Sequence, residues 1–254
     1  DGTGPDIWRA SVRVFDARTS LVQVFDREGG FGRSVQVEIP GVGSSPDFRE
    51  DGSVAAATSG HDGSMIIIAD AAGAKSAAFG EPIVPPTSFF DFTAIKAEIR
   101  DGRVPDAFRN GAQVAAASDG SVYLVFQSEP QVRRYDSQGT LLWTVTLDEP
   151  ALTSARERFF RKNREEQNPS AIHSLQYVAD AEVVEGDLWL LLDTQDQTDG
   201  LLLVLNATDG TVRRRITFAG LPNTGPFAVE GEKQRLYMAP RDDASIIVYE
   251  LAMP

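Results

Sequence analysis

Short runs of apolar and β-branched residues alternate along the chain with breaks rich in Gly and Asp, and one phrase returns five times. It consists of two to five β-formers, an acidic or turn residue, and usually a short turn to Gly. The copies are Val22-Gln23-Val24-Phe25-Asp26 running to Gly29, Ile66-Ile67-Ile68-Ala69-Asp70 to Gly73, and Val132-Arg133-Arg134-Tyr135-Asp136 to Gly139. The fourth is Leu202-Leu203-Val204-Leu205-Asn206 to Gly210, and the fifth, Ile246-Ile247-Val248-Tyr249-Glu250, has no turn after it. Between these copies the same grammar of short strand and tight turn recurs, as at Asp51-Gly52, Asp119-Gly120 and Glu185-Gly186. Gly supplies the positive φ that tight hairpins need, and Asp bonds its own turn backbone. Several runs lack polar alternation, which predicts strands with both faces covered.

Spacing turns the phrase into an architecture. Asp26 to Asp70 and Asn206 to Glu250 are each 44 positions, while Asp70 to Asp136 and Asp136 to Asn206 are 66 and 70. A unit of about 40–45 residues holding several short strands is one propeller blade, and the two longer intervals carry insertions. The expectation is therefore an all-β chain, one β-propeller domain over 1–254 with four-stranded antiparallel blades. Residues 81–109, with Pro82, Pro85, Pro86 and Pro105, are expected to be a long excursion with a hairpin near Asp101-Gly102. Residues 153–168 are expected to form the one helical insert: Ser154 and Glu157 make a capping box, Leu152, Ala155, Phe159 and Phe160 share a face, and Asn168-Pro169 ends it.

Composition narrows the function classes. The 254 residues contain no Cys, which excludes disulfides, thiol nucleophiles and Cys-held clusters. A net charge of −13 argues against general nucleic-acid affinity, which needs basic surface to release counterions. The longest apolar runs, Leu188 to Leu192 and Leu201 to Leu205, are too short to cross a bilayer.

Ser11-Val12-Arg13-Val14-Phe15-Asp16, followed after a short turn by Val24-Phe25-Asp26-Arg27-Glu28-Gly29, resembles the repeat unit of bacterial six-bladed propellers of the NHL/TolB-like group. Gly2-Thr3-Gly4-Pro5-Asp6 is similar to the loop that precedes a blade there. The resemblance implies six blades. With five phrases visible, it also implies that the first blade is truncated or that a degenerate one lies in 81–109. It further implies an extracytoplasmic (periplasmic or cell-surface) protein, since members of the group mostly are.

Candidate chemistry is sparse. His61 reads as a solvated turn residue, and His173, at a strand entrance, is the channel-mouth candidate. Asp193, Asp196 and Asp199 place three carboxylates at every third position, and calcium is the only cofactor the residues suggest. Trp8, Phe89, Phe90 and Phe92 are candidates for an aromatic platform. The insert helix carries Arg156, Arg158, Arg161, Lys162 and Arg164 beside Phe159 and Phe160, a basic island on an acidic chain and a candidate docking surface for a partner subunit. No catalytic set is recognisable. The leading expectation is a non-catalytic interaction or structural propeller, extrinsic to a membrane-associated complex. A metal-dependent, lactonase-like lyase or hydrolase, or a small-ligand sensor, with its site in the central channel, stands as the alternative.

Overall fold

A computed structural model describes residues 12–16, 18–39, 46–88, 91–194, 199–219, 224–240 and 245–251. Five antiparallel sheets follow one another along the chain. The first holds β1 (Val12–Asp16), β2 (Leu21–Phe25) and β3 (Phe31–Gln36), and the second β4 (Asp47–Phe48), β5 (Val54–Ala57), β6 (Ile66–Ala69) and β7 (Lys75–Phe79). The third holds β8 (Ala112–Ala116), β9 (Val122–Phe126), β10 (Gln131–Tyr135) and β11 (Leu141–Thr146). The fourth comprises β12 (Val178–Val184), β13 (Asp187–Leu192), β14 (Asp199–Asn206) and β15 (Val212–Ala219). The last has β16 (Thr224–Glu230), β17 (Arg235–Pro240) and β18 (Ile247–Glu250). Each sheet pairs its strands strictly in chain order, so every blade is a meander; the first and last show three strands among the described residues.

The apolar runs without alternation are explained by where their side chains go. Successive residues of one strand point to opposite faces, and each face meets a neighbouring blade. On β13, Leu188, Leu190 and Leu192 join the core shared with the third sheet, while Trp189 and Leu191 join the core shared with the fifth. On β9, Val122, Leu124 and Phe126 pack towards the second sheet, and Tyr123 and Val125 towards the fourth. Ile66 and Ile68 face the third sheet, and Ile67 and Ala69 the first. Four apolar layers thus lie between five blades.

In the second, third and fourth blades the repeated phrase is a strand-turn unit that meets the blade before it. Asp70 Oδ1 accepts from the N–H groups of Ala72 and Ala74 at 2.9 and 3.0 Å, and Asp136 Oδ1 from Gln138 and Thr140 at 2.9 and 2.8 Å. Those turns place Gly73 and Gly139 at φ +91° and +83°, pressed respectively on Gln36 of β3 and Phe79 of β7. Asn206 repeats the turn, with Gly210 against Trp143 of β11.

The excursions differ from expectation. Residues 81–109 hold α1 (Phe92–Arg100) and α2 (Asp106–Arg109), with no strand among their described residues, so neither the hairpin nor a degenerate blade is there. Asp91 caps α1 by accepting from the Ala94 N–H at 2.9 Å, and Ile95 and Ile99, one turn apart, are buried. The second insert forms α3 (Pro150–Glu165), three residues earlier at each end than expected. Pro150 begins it, where a missing N–H costs nothing. The expected capping box does not form: Ser154 already lies inside the helix and donates to the Pro150 carbonyl at 3.3 Å. The two helices share one core, in which Phe108 of α2 meets Phe159 of α3 edge to face at 6.1 Å.

Candidate functional site: the insert-bearing face

Both inserts connect the outer strand of one blade to the inner strand of the next, so they emerge on one face of the propeller. The loops between second and third strands emerge there too, and the tight Asp-Gly hairpins lie on the opposite face. Two clefts result. One, of about 150 Å³, lies between Thr58, Ser59, Pro86, Thr87 and Asn110. Its wall is organised by the buried Asn110 side chain, which accepts from the N–H of Ile83 at 2.9 Å and donates to the carbonyl of Val84 at 2.8 Å.

The second cleft, of about 140 Å³, opens between α3 and the segment leading into β12, and is lined by Arg158, Lys162, His173, Gln176 and Asp193 among others. The sequence scattered these residues over three separate hypotheses, and the fold brings five of the named candidates, Arg158, Phe159, Lys162, His173 and Asp193, together here. Arg158 and Asp193, each with a side chain 8% exposed, form an ion pair at 3.2 Å. Lys162 stands one helical turn beyond Arg158 on the same side of α3. Asn163 clamps the opposite wall: its amide donates to the His173 carbonyl at 3.0 Å, and its oxygen accepts the His173 N–H at 2.9 Å. The His173 ring is half exposed and reaches Glu166 at 3.3 Å.

The remaining candidates separate by face. Phe159 and Phe160 are core residues at 2% and 8% exposure, so the apolar side of α3 is spent on the fold and offers no docking surface. Arg156, Arg161 and Arg164 lie on the exposed side; Arg156 stacks on Phe160 and Arg164 donates to the Phe160 carbonyl at 3.1 Å. Asp193 is engaged by Arg158, Asp199 opens β14 opposite Ala219, and Asp196 lies outside the described residues. Among the described residues no three His, Asp or Glu side chains converge closely enough to hold a metal ion. His61 is exposed in a turn, and Phe92 is 38% exposed at the start of α1. Trp8, Phe89, Phe90 and the Gly2–Asp6 loop lie outside the described residues.

A third feature was missed by reading the sequence. Along the inner strands, acidic side chains reach from one blade to the backbone of the next. Asp47 of β4 accepts the N–H of Ala116 on β8 at 2.7 Å; Asp180 and Glu182 of β12 accept those of Phe227 and Val229 on β16 at 3.0 and 2.9 Å. Burial pushes all three carboxyls above their ordinary range. For Glu182 burial raises the value to about 7 against the donated N–H of Val229, with Asp180 and Asp47 adding repulsion. The Arg13 guanidinium works in the opposite direction on Asp47. A visible signal existed: Asp180 and Glu182 alternate with apolar residues in one strand, which assigns both to one side of it.

No protein-family model matches the sequence, and no curated protein matches it significantly. Solved structures do. A streptogramin B lyase is 9% identical with a TM-score of 0.52, over 97% of this chain and 67% of the lyase chain. The chain is a β-propeller. Dihydro-heme d1 dehydrogenase NirN in complex with DHE (13% identity, TM-score 0.47, 95% of this propeller and 41% of that chain) is also similar. So is hydrazine synthase of Kuenenia stuttgartiensis (9%, 0.49, 97% and 61%). The propeller thus spans about two thirds or less of each of these chains. At such identities the likeness is one of fold, and a propeller hosts many functions.

Proposed function

We propose that this chain is a non-catalytic interaction propeller that docks through its insert-bearing face, as an extrinsic subunit of an extracytoplasmic, membrane-associated assembly. The observation that supports it most is the division of α3. Phe159 and Phe160 anchor the helix in the core shared with α1 and α2, and Arg156, Arg161 and Arg164 are held outward on a chain of net charge −13. A rigid basic ridge on an acidic body favours an acidic partner surface and sets the orientation of approach. Among the described residues no helix is long and apolar enough to cross a membrane. The six-bladed, NHL/TolB-like ring expected from the sequence is part of this reading, and imaging of the whole protein would count the blades. The docking test is co-purification from the native membrane fraction with wild type and with the R156E/R161E/R164E variant. A defined complex recovered by wild type, and lost in the variant and at high salt, is the expected result. Robust turnover of lactone, glycan or peptide substrates by the isolated chain would overturn it.

One observation favours a second reading, a lyase or hydrolase working in the channel. Glu182, raised to about 7, is poised near neutral pH as a general acid or base requires, and the streptogramin B lyase is a similar propeller. Loss of any such turnover in E182Q, with the fold intact, is the outcome that this reading demands.

A further inference from the structure

We propose that the cleft between α3 and the segment leading into β12 binds a small monocarboxylate anion. Arg158 carries the inference. Its guanidinium presents five N–H donors and cannot lose its charge, yet its side chain is only 8% exposed and its one ion pair among the described residues is Nη2 to Asp193 Oδ2 at 3.2 Å. A buried cation with donors left over wants a second acceptor, and this one lines an open cleft of about 140 Å³. Lys162, half buried on the same wall, has no carboxylate partner among the described residues. Asp193 offsets one of these two positive charges, and His173 is already held by Glu166. The balance is a single positive charge, suited to a monoanion.

Shape and chemistry narrow the ligand further. A planar carboxylate accepts two parallel N–H bonds from a guanidinium, as phosphate oxygens also can, and the single net positive charge favours the carboxylate, a monoanion at neutral pH, over partly dianionic phosphate. Ala155, Phe159 and Leu175 border the cleft but are buried, so its open lining is mostly polar and suits a short carboxylate. A cleft comparable to the cavity of about 150 Å³ that accepts benzene admits a ligand of roughly six to ten heavy atoms. Asn163 holds the 173–176 wall in place through its paired bonds to the His173 backbone, so the site is formed before any ligand arrives. The inference does not draw on the docking ridge, whose Arg156, Arg161 and Arg164 are exposed and do not line this cleft.

The test is titration of the whole protein with sodium butyrate at constant ionic strength, followed by backbone amide shifts in NMR. Butyramide serves as the neutral isostere and inorganic phosphate as the competing anion. Saturable shifts confined to residues 155–162, 173–176 and 193, with a Kd of about 1 mM or below and no response to butyramide, are expected. Lys162→Gln should weaken binding at least about threefold, and Arg158→Lys, which keeps the charge but loses the fork, by about tenfold or more. If Arg158→Lys does not fold, Lys162→Gln decides. Equal binding of butyramide, tighter binding of phosphate, or no localised shift at about 50 mM butyrate would each overturn the proposal.

Discussion

Gly73 sits directly against the backbone carbonyl of Gln36, the residue that ends the outer strand of the preceding blade. A Cβ at Gly73 would fall inside the van der Waals envelope of that carbonyl, and the backbone there has φ +91°. The Glu38 N–H donates to the Gly73 carbonyl at 2.9 Å, which pins the contact from the other side. Gly73→Ala is therefore expected to lower stability by about 2–4 kcal/mol, combining left-handed strain with overpacking. Gly63, at φ +78° with nothing within 4 Å of its would-be Cβ, supplies the comparison. Gly63→Ala carries the strain alone and should cost about 1 kcal/mol. Denaturant melts of the two variants check the difference.

Glu182 links stability to pH in an unusual direction. Its carboxyl is raised to about 7 when folded, from an ordinary 4.5, so the folded chain holds the proton more tightly than the unfolded one. The resulting stabilisation is complete below pH 4.5 and is lost as pH rises through 7. Glu182→Gln, which keeps an acceptor for the Val229 N–H, should leave stability unchanged near pH 4.5. It should raise stability at pH 8 by about 1–2 kcal/mol, a figure reduced for solvent screening of a half-buried group. Thermal melts across that window would show a variant-minus-wild-type gap that opens with pH; a flat gap would remove the assignment.

The Arg158–Asp193 pair should behave as a buried one. Asp193→Asn leaves an uncompensated cation at 8% exposure, an expected loss of about 3–5 kcal/mol. Arg158→Met with Asp193→Leu removes both charges and should regain most of that loss. A double-mutant cycle by chemical denaturation measures the coupling.

Phe159→Ala tests the assignment of α3 to the core. With 2% exposure and ring contacts to Phe108 and Phe160, its removal should cost about 3–5 kcal/mol and raise hydrogen exchange in α1 and α2 as well as α3. The exposed set Arg156, Arg161 and Arg164, changed to Glu, should alter stability far less than Phe159→Ala does.

Much of the fold was legible because its signals are local. A β-forming run, an Asp that bonds its own turn and a Gly at positive φ are all set within eight residues, so the blade unit could be recognised from the repeat, although the six blades expected from it are not shown. The helix α1 was hidden by the prolines around it, although Asp91 and the Ile95/Ile99 spacing marked it. Its stability comes from packing on α2 and α3, residues more than fifty positions away in the case of α3.

The candidate site was legible only in pieces. Arg158, Lys162, His173 and Asp193 were each noticed, but as parts of a docking helix, a channel mouth and a calcium loop. By itself the sequence determined the blade unit, its strand-turn grammar and the presence of two insertions, since these depend on backbone preference and the two-residue side-chain period. Tertiary structure decided that Phe159 faces inward, that Arg158 meets Asp193, and that Asp47, Asp180 and Glu182 bridge adjoining blades. Those outcomes rest on contacts between residues 35 to 69 positions apart, where the cost of burying a charge depends on a partner that no local pattern names.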